Sequence, residues 1–212
     1  MSDIVQGSDA WLKRRLGKAT ASRQGDLTAK TKTGYAASRT DLQVELLIER
    51  LTQQPTPRII TEHMRFGTIT EPEARASYSF YRDVEVVEVG FIDHPMIRMA
   101  GASPDGLVGD DGLIEIKCPK TSTFLEIIES EKIPLKYMKQ MQFQMACTER
   151  SWCDFVCYDP RVPEAMRLYV QRVNRDDEMI AFLESETIKF LTELDVREEN
   201  IRNKYMKVKK DD

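Results

Sequence analysis

The chain has 212 residues, a formal net charge of −4 and a mean hydropathy of −0.46. Hydrophobic residues make up 41% of it, which excludes a disordered chain and indicates a soluble globular fold. It has no run of about 18 apolar residues, so we expect no membrane span. The N-terminus lacks the basic and apolar segments of a secretory signal. We therefore expect one domain over residues 1–212, in the cytoplasm, with its cysteines reduced.

The charge is distributed unevenly along the chain. Residues 1–35 contain seven Lys or Arg against three Asp, whereas residues 176–200 contain nine acidic residues against two basic ones. This asymmetry indicates either a polyanion-binding surface at one end or two solvated helix faces. The acidic total does not exclude nucleic acid, because phosphate binding needs only a local basic patch.

The first predicted elements are two helices. Leucines recur at helical spacing in residues 40–51, and Thr40 begins a capping-box pattern. A second helical pattern spans residues 62–81. Because Pro72 lies inside it, we expect a kink or a restart there, with Thr70 as the new cap.

The rest of the chain alternates between the two periodicities. Apolar residues at every second position indicate strands, and apolar residues at helical spacing indicate helices. This order predicts an α/β, or α+β, core with a central mixed sheet flanked by helices. Strands are predicted at 84–89, 96–100, 112–117, 152–158 and 166–173, and helices at 122–131, 134–148 and 176–196.

The most informative segment combines two carboxylates and a lysine. Asp105 is separated by nine residues from Glu115-Ile116-Lys117. Residues two apart on a strand face the same side, so Glu115 and Lys117 should point together, away from Ile116. Asp105 is expected at the end of the neighbouring strand, beside Glu115. Adjacent carboxylates repel each other unless a cation lies between them, and Mg²⁺ binds such oxygens together with waters and phosphate oxygens.

Lys117 would complete a hydrolytic site. An ammonium group beside a metal ion is destabilised, so its pKa should fall and it could accept a proton from water. A bound metal ion lowers the pKa of that water as well. The pattern therefore predicts attack of a metal-bound hydroxide on a phosphodiester. A surface ion pair is the alternative, because Glu-x-Lys is common by chance.

Further motifs favour the hydrolytic site. Glu71 lies in a Gly-x-x-x-Glu pattern on a predicted helix, Gln140 lies on another, and the segment 158–161 reads Tyr-Asp-Pro-Arg. A Trp-Leu-Lys-Arg-Arg segment begins at Trp11. Together with the Pro-Asp and Glu-x-Lys pattern, this ordered set resembles the YqaJ-type viral recombinase exonucleases, and most closely the phage lambda-type 5′-to-3′ exonucleases. The resemblance runs from about Trp11 to the final helix.

The resemblance implies a restriction-endonuclease-like core and a Mg²⁺-dependent exonuclease. Such an enzyme would digest the 5′-ended strand of linear double-stranded DNA and leave 3′ single-stranded tails for recombination by strand annealing. Mn²⁺ should substitute for Mg²⁺, and Ca²⁺ should inhibit. The resemblance further implies a ring-shaped homotrimer, a single-strand annealing protein as partner, and a phage or prophage gene expressed in the bacterial cytoplasm.

The resemblance also assigns a metal site. Asp105 and Glu115 would bind the ion, with the backbone carbonyl of Ile116 as a third ligand. Glu71 would complete the acidic site, either directly or through metal-bound water.

Water activation and recognition of the 5′ end fall to other residues. By resemblance, Lys117 would activate or position the nucleophilic water, and Gln140 would orient the water or the scissile phosphate. Arg15, Ser22 and Ser103 would form a pocket for the 5′ phosphate, since Arg and hydroxyl donors suit a phosphate dianion.

One position departs from the family pattern. Where the family pocket uses a basic residue just after the Lys-Cys-Pro segment, this chain has Thr123, and a hydroxyl brings no charge. Lys32, Met64 and Lys120 are candidate DNA contacts. For Met64, core packing is the expectation and a wedge against the terminal base pair is the alternative; Trp11 is expected to anchor the N-terminal segment.

Two other functions are compatible with the same core. One is a structure- or site-specific endonuclease, and the other is a catalytically decayed DNA-binding module. The absence of an added recognition domain argues against the first, and the complete set of site residues argues against the second. An iron–sulfur cluster is not expected, because the four cysteines contain no Cys-x-x-Cys pair.

Overall fold

Two sheets and a hairpin organise the computed structural model, which describes residues 5–57 and 59–206. The helices are α1 (Asp9–Arg15), α2 (Gln24–Leu27), α3 (Ala37–Thr52), α4 (Glu62–Arg82), α5 (Thr121–Ser130), α6 (Leu135–Thr148) and α7 (Asp177–Met206). The strands are β1 (Ala19–Thr20), β2 (Lys30–Thr31), β3 (Gly34–Tyr35), β4 (Val86–Val87), β5 (Ile92–Asp93), β6 (Ala100–Ala102), β7 (Gly106–Val108), β8 (Gly112–Lys117), β9 (Trp152–Tyr158) and β10 (Leu168–Asn174).

The larger sheet has the strand order β10-β9-β8-β7-β4. Its central pair, β8 and β9, is parallel, and the other pairs are antiparallel. A smaller sheet has the order β1-β6-β5, in which β1 and β6 are parallel, and β2 and β3 form a hairpin. This arrangement confirms the predicted α/β fold with a mixed sheet.

The two faces of β8 pack against different helices. Ile114 and Ile116 lie in one buried cluster with Ala74 and Tyr78 of α4. Leu113, on the other face, lies in a cluster that contains residues of α5 and α6. Alternate β8 side chains therefore face opposite sides, as predicted, and Glu115 faces the α6 side.

The acidic C-terminal helix pairs with basic residues from the N-terminal half of the chain. Glu186 of α7 contacts Lys30 at 3.1 Å, and Glu193 contacts Arg39 at 2.6 Å. Arg50 of α3 contacts Asp195 of α7 at 2.5 Å. These ion pairs show that the charge asymmetry partly serves packing. The apolar stripe of α7, which includes Leu183, Phe190 and Leu194, lies in the core with α3.

The predicted start of the second helix at residue 62 is confirmed, but the predicted caps at Thr40 and Thr70 are wrong. α3 begins at Ala37, so Thr40 lies inside the helix and does not cap it. α4 continues through Pro72, so the restart at Thr70 is wrong. The single cap is Thr61, whose side chain accepts the N–H of Met64 at 3.3 Å.

Strand boundaries also differ from prediction. The predicted strand 96–100 begins only at Ala100, because the preceding residues form a turn. In that turn His94 Nδ1 accepts the backbone N–H of Ile97 at 3.1 Å, and Met99 adopts a left-handed conformation with φ of 66°. The strand predicted at 84–89 is reduced to Val86–Val87.

Within the described residues, no helix combines the length and apolarity that a membrane span requires.

Candidate active site

Glu115 is the centre of a polar cluster at the end of β8. Its carboxylate is 1% exposed, and Lys117 Nζ donates to its Oε1, as expected for residues two apart on a strand. Two glutamines of α6 also donate to it. Gln140 Nε2 lies 2.7 Å from Oε1, and Gln144 Nε2 lies 2.6 Å from Oε2. Three side-chain donors therefore hold this buried carboxylate.

Asp105 lies beside Glu115 because of the β7–β8 hairpin. Gly106 pairs with Ile114, which places Asp105 next to the position of Glu115 on the neighbouring strand. The backbone N–H of Asp105 donates to the Ile114 carbonyl at 3.2 Å, and Asp105 Oδ2 accepts the N–H of Ile116 at 2.7 Å. The predicted juxtaposition of the two carboxylates is confirmed.

Glu71 approaches the same cluster from α4. Its Oε1 accepts from Arg75 Nη2 at 2.6 Å, and Arg75 Nε also donates to the carbonyl of Asp105 at 3.2 Å. Arg75 thus ties α4 to the start of β7. A cleft of about 600 Å³ runs between these elements, and its lining includes Met64, Glu71, Ile116, Lys117 and Tyr137.

The carboxylates of the cluster disfavour one another's ionised forms. Burial raises the pKa of Asp105 well above its usual value, and the charge of Glu115 adds to this shift. Burial also raises the pKa of Glu71, with Arg75 opposing it and Glu115 reinforcing it. Such a group of carboxylates would be stabilised by a divalent cation.

The same carboxylates also shift the pKa values of Lys117 and Cys118. Burial disfavours the charged form of Lys117, but the charges of Glu115 and Asp105 outweigh burial and raise its pKa. The predicted lowering of this pKa depends on a bound cation and stays a prediction. Burial, reinforced by Glu71 and Asp105, raises the pKa of Cys118 to about 12, so this cleft residue is a neutral thiol.

The donor set fits Mg²⁺ better than a metal that needs a full cage of protein ligands. Within the described residues, no three His, Cys, Asp or Glu side chains converge closely enough to hold an ion by themselves. Mg²⁺ binds through one or two carboxylates and keeps waters or phosphate oxygens as its other ligands. Asp105 and Glu115 can supply those carboxylates. All four cysteines are free thiols, and three of them are buried.

Neutralising Asp105 should stabilise the protein when no divalent cation is present. The folded-state pKa of this carboxyl is raised, so folding favours its protonated form and stability falls as pH rises from about 4 toward that pKa. Asp105→Asn removes the charge and can still accept the Ile116 N–H. We expect the melting temperature of Asp105→Asn in EDTA to exceed that of wild type by a few degrees at pH 7–8, at about 2–4 °C per kcal/mol.

Thermal scans of both proteins from pH 4 to 8 measure this effect. The difference in melting temperature should shrink toward pH 4, where the wild-type carboxyl is already protonated in the folded protein. Asp110→Asn, in the exposed β7–β8 turn, is the matched control and should leave the melting temperature unchanged. A variant less stable than wild type at neutral pH would contradict the assigned charge repulsion.

A second polar cluster contains two of the three predicted phosphate ligands. Ser103 Oγ accepts from Trp11 Nε1 at 2.9 Å and from Arg15 Nη1 at 3.3 Å. The Arg15 guanidinium also lies over the Trp11 ring, 4.1 Å from its centroid. The Ser22 hydroxyl is hydrogen-bonded to the Thr20 hydroxyl. Thr20 and Arg15 line the same cavity, which has a volume of about 490 Å³. Because β1 and β6 are parallel, Ser22 and Ser103 leave the smaller sheet at the same end.

The remaining sequence candidates have mixed outcomes. Met64 is 49% exposed and lines both cavities, so its predicted core position is wrong. Trp11 anchors α1 to Ser103, as expected. Lys32 lies at the exposed turn between β2 and β3, and exposed Lys120 directly precedes α5.

Sequence reasoning missed Gln144 and Arg75. Each stands four residues after a predicted site residue on the same helix, Gln140 and Glu71 respectively, which is the spacing of helical neighbours. The Tyr-Asp-Pro-Arg segment has a structural role: Asp159 accepts from Thr121 at the start of α5 at 2.7 Å.

Comparison with known proteins finds solved exonuclease structures that share the fold. An alkaline exonuclease (LHK-Exo) from Laribacter hongkongensis is 48% identical, with a TM-score of 0.90 over 95% of this chain and 100% of that chain. Its structure in complex with dAMP matches equally well. A phage related exonuclease from Haemophilus somnus 129PT is 15% identical, with a TM-score of 0.71 over 87% of this chain and 96% of that chain, and shows the fold alone.

The sequence comparisons extend to viruses. Uncharacterized protein R354 of Acanthamoeba polyphaga mimivirus is 28% identical in an alignment 113 residues long that covers 47% of this chain and 21% of that protein. The match thus spans about a fifth of that relative's length. Residues 10–151, which contain the whole cluster around Glu115, match the YqaJ-like viral recombinase domain. Since this match covers about two thirds of the chain, the protein belongs to the YqaJ-like viral recombinase family, a family of nucleases.

Proposed function

We propose that the protein is a Mg²⁺-dependent exonuclease that digests the 5′-ended strand of linear double-stranded DNA and leaves 3′ single-stranded tails. The observation that carries this proposal is the cluster of Asp105, Glu115 and Lys117, in which Lys117 donates to Glu115 and lines the same cleft as Glu71. The similarity to an alkaline exonuclease supports it. Such tails would serve recombination with a single-strand annealing protein.

Each residue of the cluster would have its own role in hydrolysis. A bound Mg²⁺ would supply charge stabilisation and acidify a water, with Asp105, Glu115 and the Ile116 carbonyl as its protein ligands. Lys117 positions the water for attack or accepts a proton from it. Gln140, held at 2.7 Å from Glu115, orients the water or the scissile phosphate. Glu71 completes the acidic site from α4.

Arg15, Ser22 and Ser103 would hold the terminal phosphate. Ser103 Oγ accepts two hydrogen bonds, from Trp11 and Arg15, so its own hydroxyl hydrogen stays available to donate to a phosphate oxygen. Arg15 brings the positive charge that distinguishes a dianionic 5′ phosphate from an internal phosphodiester. Met64, which is exposed and lines both cavities, would contact the terminal base pair.

A gel assay on matched linear and covalently closed circular duplexes tests the function. With Mg²⁺ or Mn²⁺, the linear duplex should be degraded from its 5′ ends and the circle should survive. EDTA should stop the reaction, and Ca²⁺ should support little of it, because its looser coordination positions water poorly. Cleavage of the circle would indicate an endonuclease, and DNA binding without cleavage would indicate a decayed module.

We also propose that the active form is a ring-shaped homotrimer, which would retain the product strand and so make digestion processive. Ile69 and Phe80 of α4, which are 78% and 92% exposed, are candidate contacts for such an interface. Light scattering at micromolar protein should give three times the chain mass of 24.5 kDa. A monomer with full exonuclease activity would refute the ring.

A further inference from the structure

The second oxygen of Glu115 is held by Gln144. Gln144 lies one turn after Gln140 on α6, and its Nε2 donates to Glu115 Oε2 at 2.6 Å. The other oxygen, Oε1, accepts from Lys117 and Gln140. Donors on both oxygens prevent the carboxylate from rotating, and among the described residues Gln144 is the side chain that donates to Oε2.

Burial of the Gln144 amide lowers the stability of the folded protein. Gln144 is 0% exposed, and its own Oε1 has no hydrogen-bond partner in the described part of the chain. A buried carbonyl without a donor destabilises a protein, and an apolar side chain of the same size would avoid this penalty. Packing therefore does not account for a glutamine at this position. What the amide adds is its bond to Glu115.

We propose that Gln144 is a positioning residue that fixes the Glu115 carboxylate in the orientation in which it binds a divalent cation. This inference rests on the proposed nuclease function, in which Glu115 is a metal ligand. Partners that orient a metal ligand typically contribute 10- to 100-fold to metal affinity. Gln144 acts through Glu115 alone.

Gln142 provides a matched control on the same helix. It is equally buried, but both ends of its amide are used: Nε2 donates to the Asn174 carbonyl at 2.8 Å, and Oε1 accepts the Asp176 N–H at 2.9 Å. These bonds join α6 to the start of α7 and do not involve Glu115. Gln142→Met should therefore lower the melting temperature and leave metal affinity unchanged.

The test is calorimetric titration of DNA-free protein with Mn²⁺, with thermal scans in EDTA. For Gln144→Met we expect Mn²⁺ affinity to fall about 10- to 100-fold, while the melting temperature falls less than in Gln142→Met. Raising Mn²⁺ should restore kcat for DNA cleavage, which a purely structural defect would not allow. Gln144→Leu fills the space with a different shape and replaces the first variant if that one does not fold.

Wild-type Mn²⁺ affinity in the folded Gln144 variants would overturn the inference. So would a loss of affinity in Gln142→Met as large as that in Gln144→Met. A wild-type protein that binds Mn²⁺ without cutting DNA contradicts the nuclease proposal but not the role of Gln144. A wild-type protein that binds no Mn²⁺ contradicts both.

Discussion

Alanine at Asp105, Glu115 or Lys117 should abolish DNA cleavage. Loss of either carboxylate removes a metal ligand, and loss of Lys117 removes the group that positions or deprotonates the attacking water. A bound metal ion lowers the pKa of water from about 15.7 toward about 7, so we expect each rate to fall by several orders of magnitude. Initial rates on linear duplex with saturating Mg²⁺ measure this loss.

Metal titration separates the roles within this group. Asp105→Ala and Glu115→Ala should lose Mn²⁺ affinity in calorimetry, whereas Lys117→Ala should still bind the ion, because an ammonium group is not a ligand. Near-normal cleavage by Lys117→Ala would rule out its assigned role. Retained Mn²⁺ affinity in both carboxylate variants would place the metal elsewhere.

Asp154 supplies a matched control for the carboxylate variants. It is as buried as Glu115 but sits on β9 beside Ile114, on the opposite face of the sheet. It accepts from Tyr78 at 2.8 Å and from Arg172 at 2.8 and 3.0 Å. Asp154→Asn should therefore reduce stability and leave Mn²⁺ affinity at the wild-type value. That result would show that the loss of a buried carboxylate does not by itself lower metal affinity.

Arg15→Ala should slow digestion of 5′-phosphorylated duplex far more than digestion of 5′-hydroxyl duplex. A terminal phosphate carries nearly one more negative charge than an internal phosphodiester, and the planar Arg15 fork can bind two of its oxygens. Loss of one charge-assisted hydrogen bond costs roughly 1.5–3 kcal/mol, so the rate on the phosphorylated substrate should fall on the order of ten- to a hundredfold. Initial rates on duplexes that differ only in the 5′ group give the comparison.

Arg14 is the matched control for this experiment. It precedes Arg15 on α1 but forms an exposed ion pair with Asp93, so Arg14→Ala should leave the preference for 5′ phosphate intact. The Thr123 hydroxyl adds no charge to the proposed pocket, so the wild-type preference should be modest and Thr123→Arg should enlarge it. Equal wild-type rates on both substrates, unchanged in Arg15→Ala, would show that the pocket is wrongly assigned.

The part of the site that depends on local geometry was predictable from the amino-acid sequence. Side chains alternate along any strand, so Glu115 and Lys117 had to share a face once residues 112–117 were a strand. The position of Asp105 beside Glu115 was predicted as well, although β7, the strand whose pairing with β8 provides it, was not. Helix and strand types in the longer segments were also predictable, because their apolar periodicity extends over several turns or pairs.

The long-range contacts and the short elements were not predictable, because they depend on how distant segments of the chain pack. Gln140 and Gln144 reach Glu115 because α6 packs on β8, and Ser103 meets Arg15 across 88 residues of chain. Strands of two or three residues, such as β1 and β6, are too short for a periodicity signal and exist through their pairing. α4 likewise continues through Pro72 although the local sequence favours a break, because packing outweighs local propensity.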